Sequence, residues 1–262
     1  METNRYSGCR PIVFLWSLLL IVFSPIMTAQ QIGARAWLEQ QTTFYVERLL
    51  DNISPRDGLP GAVIAAKSRS NPDYYYHWVR DAGIAIDALL QIYPLLDDAH
   101  KEIVRHKLFS YYQFTKKIQS AHPPGDLGEP KFHVDGSIFT DKWGRPQNDG
   151  PALRAISLIH FANLLLKEGQ ESFVKNALYQ SSLPATSPIK MDLEYVSHHW
   201  RDPSYDLWEE VKGTHFYTLM VQRRALIEGA ILAVRLGDSL AANWYRAQGN
   251  ELNWNLTSFL IK

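Results

Sequence analysis

The stretch Trp143-Gly144-Arg145-Pro146-Gln147-Asn148-Asp149-Gly150-Pro151-Ala152-Leu153-Arg154-Ala155 changes character halfway along. Up to Gly150 it is aromatic, charged and turn-forming. From Pro151 apolar residues recur at helical spacing through Leu153, Ile156, Leu158, Ile159 and Leu165, and Gly169 closes the run. A proline belongs in the first helical turn because its missing N–H has no partner there anyway, and Asp149 lies near the N-cap. Working outward, 98–120 reads as a long amphipathic helix with Ile103, Val104, Leu108, Tyr111, Tyr112, Thr115 and Ile118 on one side. A helix from Asp81 runs through Ile84, Ile86, Leu89 and Leu90 towards Pro94, and another covers 32–50. On the other side come a short helix at 171–179, a Ser/Pro-rich loop at 181–188, and helices at 192–200, 214–236 and from 239 onward. Period-two alternation is hard to find anywhere, so the fold class is all-α.

Composition narrows the function. Lys and Arg number 27 against 27 Asp and Glu, which disfavours a nucleic-acid partner, since such binding draws on a basic surplus. With 46% apolar residues the chain is no disordered acidic segment. Eight Trp, 13 Tyr and 11 Phe exceed what packing usually needs, and one Cys excludes a disulfide framework or a cysteine-rich zinc module. Residues 1–29 read as a secretory signal peptide: Arg5 and Arg10, an apolar run over 12–23, a break at Ser24-Pro25 and small Ala29. The expected protein is therefore residues 30–262, secreted or periplasmic, with no stable membrane span after cleavage. An uncleaved signal anchor is the competing reading.

Three connections are long and aromatic: Asn71-Pro72-Asp73-Tyr74-Tyr75-Tyr76-His77-Trp78, the Trp143 segment, and 202–213 with Tyr205 and Trp208. Each couples flat ring surface to charge: Trp78 with Arg80 and Asp81, Trp143 with Arg145, and Trp208 with Asp206, Glu209 and Glu210. Sugars offer C–H faces that stack on such rings and hydroxyl rims that suit Arg and carboxylates. Any one loop is more often a packing plug; three together favour a neutral sugar ligand. If Asp206-Leu207-Trp208-Glu209-Glu210 is helical, its carboxylates share a face, and crowding would keep one protonated as a general acid. An acidic helix start is the bland alternative. Phosphate-loop, serine-hydrolase and metalloprotease motifs are missing, and adjacent His198 and His199 point too far apart to share a metal readily. Neither a metal nor another cofactor is expected.

In order, Asn71–Asp81, Trp143–Ala155 and Tyr205-Asp206-Leu207-Trp208-Glu209-Glu210-Val211 resemble the hallmark segments of fungal-type glucoamylases, glycoside hydrolase family 15, as does Val221-Gln222-Arg223-Arg224-Ala225-Leu226. The resemblance runs from about residue 32 to 240. It implies an (α/α)6 toroid with a pocket at one mouth, and inverting release of β-glucose from the non-reducing ends of α-1,4-glucans such as starch. Carried over position by position, it implies that Glu209 is the general acid and Glu210 the carboxylate contacting the sugar beside the scissile bond. Arg80 and Asp81 would hold the terminal glucose, Tyr74 and Trp78 form the wall, Trp143 and Arg145 shield the site, and Leu207 and Trp208 flank the acid. Asp206 matches an acidic position read as a supporting carboxylate. His77 and Val79 depart from the small hydroxyl residues usual around the tryptophan, and Pro203-Ser204 departs from the usual Gly-containing approach.

The family's catalytic base lies on a later segment that nothing here matches. The expectation is therefore only the first half to two thirds of the toroid, negligible activity for this polypeptide alone, and self-association through exposed apolar helix faces. The alternative from another class is a truncated, degenerate protein that binds carbohydrate weakly without turnover.

Overall fold

A computed structural model describes residues 33–257 and 259; the expected signal segment, 1–29, lies outside the described residues. Helix α1 covers residues 33–51, and the described chain divides after Arg48 into a first and a second unit. The second unit contains all that follows.

Its helices are α2 (Val79–Ile92), α3 (Asp98–Gln119), α4 (Asp149–Lys167), the single turn α5 (Glu171–Phe173), α6 (Pro188–His199), α7 (Phe216–Leu236) and α8 (Ser239–Thr257). The all-α expectation holds. Helix α2 starts two residues before Asp81, and α6 starts at Pro188, inside the stretch read as loop, because that proline again occupies a first turn. The short helix read at 171–179 divides into α5 and a π-helical turn, Val174–Leu178. Asp97 caps α3 by accepting the His100 N–H at 2.9 Å, and Gly237, at φ 90°, ends α7 in the left-handed conformation.

Helix α4 is the hub. From Asp149 to Ile159 every residue is buried, which an apolar helix tolerates only when covered on all sides. It packs against α2, α7 and α6, while α8 lies along α7. A Cβ on Gly83 of α2 would meet the Leu153 carbonyl carbon at 2.9 Å, so a larger residue would push these two helices apart. Between α4 and α6, buried Arg154 donates Nε and Nη2 to the two oxygens of Asp192 at 2.8 and 2.5 Å.

Four two-residue strands escaped the sequence reading, because two residues cannot display alternation. Strand β1 (His77–Trp78) pairs antiparallel with β2 (Lys131–Phe132), placing Trp78 opposite Lys131. Strand β3 (Ser204–Tyr205) pairs with β4 (Lys212–Gly213), Ser204 opposite Gly213. These small ladders position the aromatic loops at one end of the helices.

Candidate active site

The three aromatic connections converge on a pocket of about 790 Å³. Tyr74, Trp78, Trp143, Trp208 and Glu209 line it, joined by Tyr76, Lys131, Phe139 and Tyr205. Tyr74 meets Trp78 edge-on at 6.0 Å between ring centres, and Trp78 meets Trp143 at 6.2 Å. Trp208 is 75% exposed and stands at the rim.

The segment 206–211 is not helical, which corrects the premise of a shared carboxylate face. It is the loop of the β3–β4 hairpin. The Asp206 N–H donates to Val211 O, and Asp206 Oδ1 accepts the N–H groups of Glu210 and Val211 at 2.9 Å each. Those donors hold the Asp206 carboxyl below its ordinary value. Asp206 is thus spent on shaping the loop, and Glu210 and Leu207 face outward without lining the pocket.

Of the three carboxylates in this loop, Glu209 alone lines the pocket. Its φ is 65°, a conformation that side chains other than glycine adopt rarely and at a cost. The carboxylate it delivers is held from two sides. Oε1 accepts Trp78 Nε1–H at 2.7 Å and Gln147 Nε2–H at 3.0 Å, and Oε2 accepts Trp143 Nε1–H at 2.9 Å. Arg80 Nη2 lies 3.8 Å from Oε1, but its hydrogen bonds go to Gln147 Oε1 and, through Nη1, to Asp149 Oδ2 at 3.0 Å. Arg80 therefore ties the pocket to the start of α4 and does not line it. Asp81 sits on the first turn of α2, outside the lining, where loss of solvation raises its carboxyl and Arg80 pulls the other way.

Arg145 also lies behind the pocket wall. Its Nε donates to both oxygens of buried Glu129 at 2.8 Å, and its remaining nitrogens reach the carbonyls of Asp141 and Phe139. It is the strut of the Trp143 loop. The loop in turn carries the hairpin: Tyr205 N–H donates to Pro146 O at 2.9 Å, and the Asn148 N–H to Ser204 Oγ at 2.9 Å. A Cβ on Gly144 would stand 2.8 Å from the Tyr205 ring and 3.1 Å from the Glu209 carbonyl, so the approach of the two loops requires glycine. His77 accepts the Val63 N–H on Nδ1 at 2.9 Å, and complete burial pushes it down to about 3, so it stays neutral.

Lys131, Gln147, Tyr76 and Phe139 were not among the expected site residues. Gln147 had a signal, since it lies inside the quoted motif; Lys131 had none, because its place depends on the β1–β2 register. Among the described residues no cluster of His, Cys, Asp and Glu could hold a metal ion, and no helix is long and apolar enough to cross a membrane.

The Glu209 carboxylate thus stands among indoles above packed helices, and comparison with known proteins adds the family. Residues 39–260 match the family model of the glycosyl hydrolases family 15, and the chain belongs to that family. It is 41% identical over 225 residues to a glucoamylase of Blastobotrys adeninivorans, covering 84% of this chain and 36% of that protein. It is 39% identical over 227 residues to glucoamylase 1 of Rhizopus oryzae, covering 86% and 36%. The solved family 15 glucoamylase of Hypocrea jecorina superposes with a TM-score of 0.77 at 34% identity, covering 86% of this chain and 38% of that one. The fold is accordingly that of the glucoamylase (α/α)6 toroid over the part spanned. The chain spans little more than a third of the length of these relatives.

Proposed function

We propose that this chain carries the acid side of an inverting glucan-hydrolysing site, acting at the non-reducing ends of α-1,4-linked glucose and releasing β-glucose. The observation that carries this reading is Glu209, an ionisable group turned into an aromatic pocket by a strained loop and held there by two indole N–H donors. Inverting hydrolysis needs an acid on the leaving oxygen and a base about 6.5–9.5 Å away with water between. A carboxylate oxygen has two acceptor positions. Oε1 fills both with Trp78 and Gln147, whereas Oε2 has only Trp143. Oε2 is therefore the oxygen with room for the transferable proton, and Trp143 and Gln147 fix the direction in which it points.

Tyr74 and Trp78 provide the stacking wall for the terminal sugar, and Trp208 at the rim meets the next ring, while Glu210 is exposed outside the lining. Arg80, Asp81, Arg145, Leu207 and Asp206 support that wall from behind or beside it. The protein is read as exported through residues 1–29. No segment here matches the family's base, so the polypeptide by itself is expected to bind maltooligosaccharides and turn them over negligibly. The second reading, a carbohydrate-binding product without catalysis, shares the pocket and dispenses with the proton transfer.

Maltotetraose added to the purified chain should quench indole fluorescence at millimolar concentration, and Trp78→Ala should abolish the change. No response in the native chain would sink the glucan reading. Glucose release that disappears in Glu209→Gln would overturn the expected inactivity and confirm the acid.

A further inference from the structure

Lys131 is 2% exposed and sits directly across the β1–β2 ladder from Trp78. Cross-strand partners project to the same face, so its side chain enters the pocket wall beside that indole. The ammonium then meets rings instead of a carboxylate. Nζ is 4.5 Å from the centres of Tyr76 and Trp78, 4.1 Å from Phe139 and 3.3 Å from Trp143. The rings also brace one another edge-on, Tyr76 to Trp78 at 5.7 Å and Phe139 to Trp143 at 5.8 Å. A cation attracts the face of an aromatic ring, tryptophan most strongly, and the attraction grows when water is excluded.

Two of these four rings have a second task, since Trp78 and Trp143 are the indoles that donate to opposite oxygens of Glu209. We propose that Lys131 is a positioning residue: its ammonium, caged by Tyr76, Trp78, Phe139 and Trp143, keeps both indoles at the angle from which their N–H groups clamp the Glu209 carboxylate. The proposal deepens the reading of Glu209 as the acid and rests on it for its catalytic meaning. The cage itself stands on geometry alone.

The cage has a defined limit. Burial pushes the Lys131 ammonium down to about 8. Asp73 from the loop before β1, Asp141 from the loop after β2 and Glu209 from the hairpin pull it upward, and Arg145 pushes it further down. Tyr76 and His133, whose rings lie 5.3 Å apart, also stand at the cage, with Tyr74 against Trp78 and Lys142 and Tyr205 in the same pocket lining. Once the amine is neutral, the attraction that orients the indoles is gone.

The test uses the whole chain, labelled with nitrogen-15, and needs no sugar. The indole N–H resonances of Trp78 and Trp143 are assigned with Trp78→Phe and Trp143→Phe and followed from pH 6 to 10. Both should shift together with a midpoint near 8. In Lys131→Met the titration should vanish and both resonances should move towards the positions of solvent-exposed indoles. Lys131→Arg, permanently charged, should keep the native positions without titrating. Resonances unmoved by Lys131→Met, or a midpoint that survives it, would overturn the proposal. Should maltotetraose fail to bind while these shifts appear, the glucan reading falls and the cage stands.

Discussion

Arg154 and Lys131 are both buried cations, and they are neutralised in opposite ways. Arg154 is locked to Asp192 by two hydrogen bonds between α4 and α6, with full burial on both sides. Lys131 has four ring faces at 3.3 to 4.5 Å and carboxylates only at longer range. A charge closed by a matched fork is fixed in its ionised state and serves the architecture. A charge left to quadrupoles remains able to lose its proton, and it faces the pocket. The difference separates frame from site more sharply than burial does.

Breaking the frame should give the largest effect. Arg154→Met leaves Asp192 as a buried, unpaired carboxylate and should cost about 3–5 kcal/mol by denaturant unfolding. The double variant with Asp192→Leu should recover much of it; a single variant that unfolds like the native chain would erase the contrast.

Next comes a cation intermediate between the two, His160. It joins α4 to Asp87 of α2 at 2.5 Å and to Glu228 of α7 at 3.0 Å, with Arg224 also binding Glu228. Hydrogen bonds to Asp87 and Glu228 raise it to about 9 from 6.5. The raised value means that its stabilisation is complete below pH 6.5 and is lost as pH rises through about 9. Partial exposure reduces the effect to roughly 1–2 kcal/mol. Thermal unfolding of His160→Gln should lack that alkaline decline, and an unchanged slope would remove His160 from the account.

Asp206→Ala should cost about 1 kcal/mol, since two loop N–H groups lose their acceptor to water. Its depressed carboxyl places the matching loss on the acid side, present above the ordinary carboxylate range and fading as pH falls below it. Calorimetry across acid pH reads both. Smallest should be Lys131→Met, within about 1 kcal/mol in denaturant unfolding, because an apolar chain of similar length fills the cage without the cost of burying charge. A loss as large as that of Arg154→Met would make Lys131 part of the frame.

The helices were legible because Leu153, Ile156 and Ile159, or Leu108, Tyr111 and Ile118, repeat at a helix's own period. Ends shifted where a proline could open a first turn, as at Pro188. The pocket residues were legible as a set, since Trp78, Trp143 and Glu209 stand in long aromatic connections that converge, but their local geometry was misread. Asp206 captures two backbone donors that a helix would have used, and the Ser204–Gly213 pair closes the segment as a hairpin. Lys131 and the His160 cluster were out of reach, because both depend on which segments lie side by side, information that no local pattern contains.

The left-handed backbone at Glu209 carries a longer-term consequence. A glutamate there costs about 1 kcal/mol that glycine would not. Selection for expression or thermal endurance alone would therefore drift towards replacing it, and such a lineage would become sturdier while emptying the pocket of its carboxylate. Glutamate at that position holds a carboxylate in the pocket at the expense of loop stability.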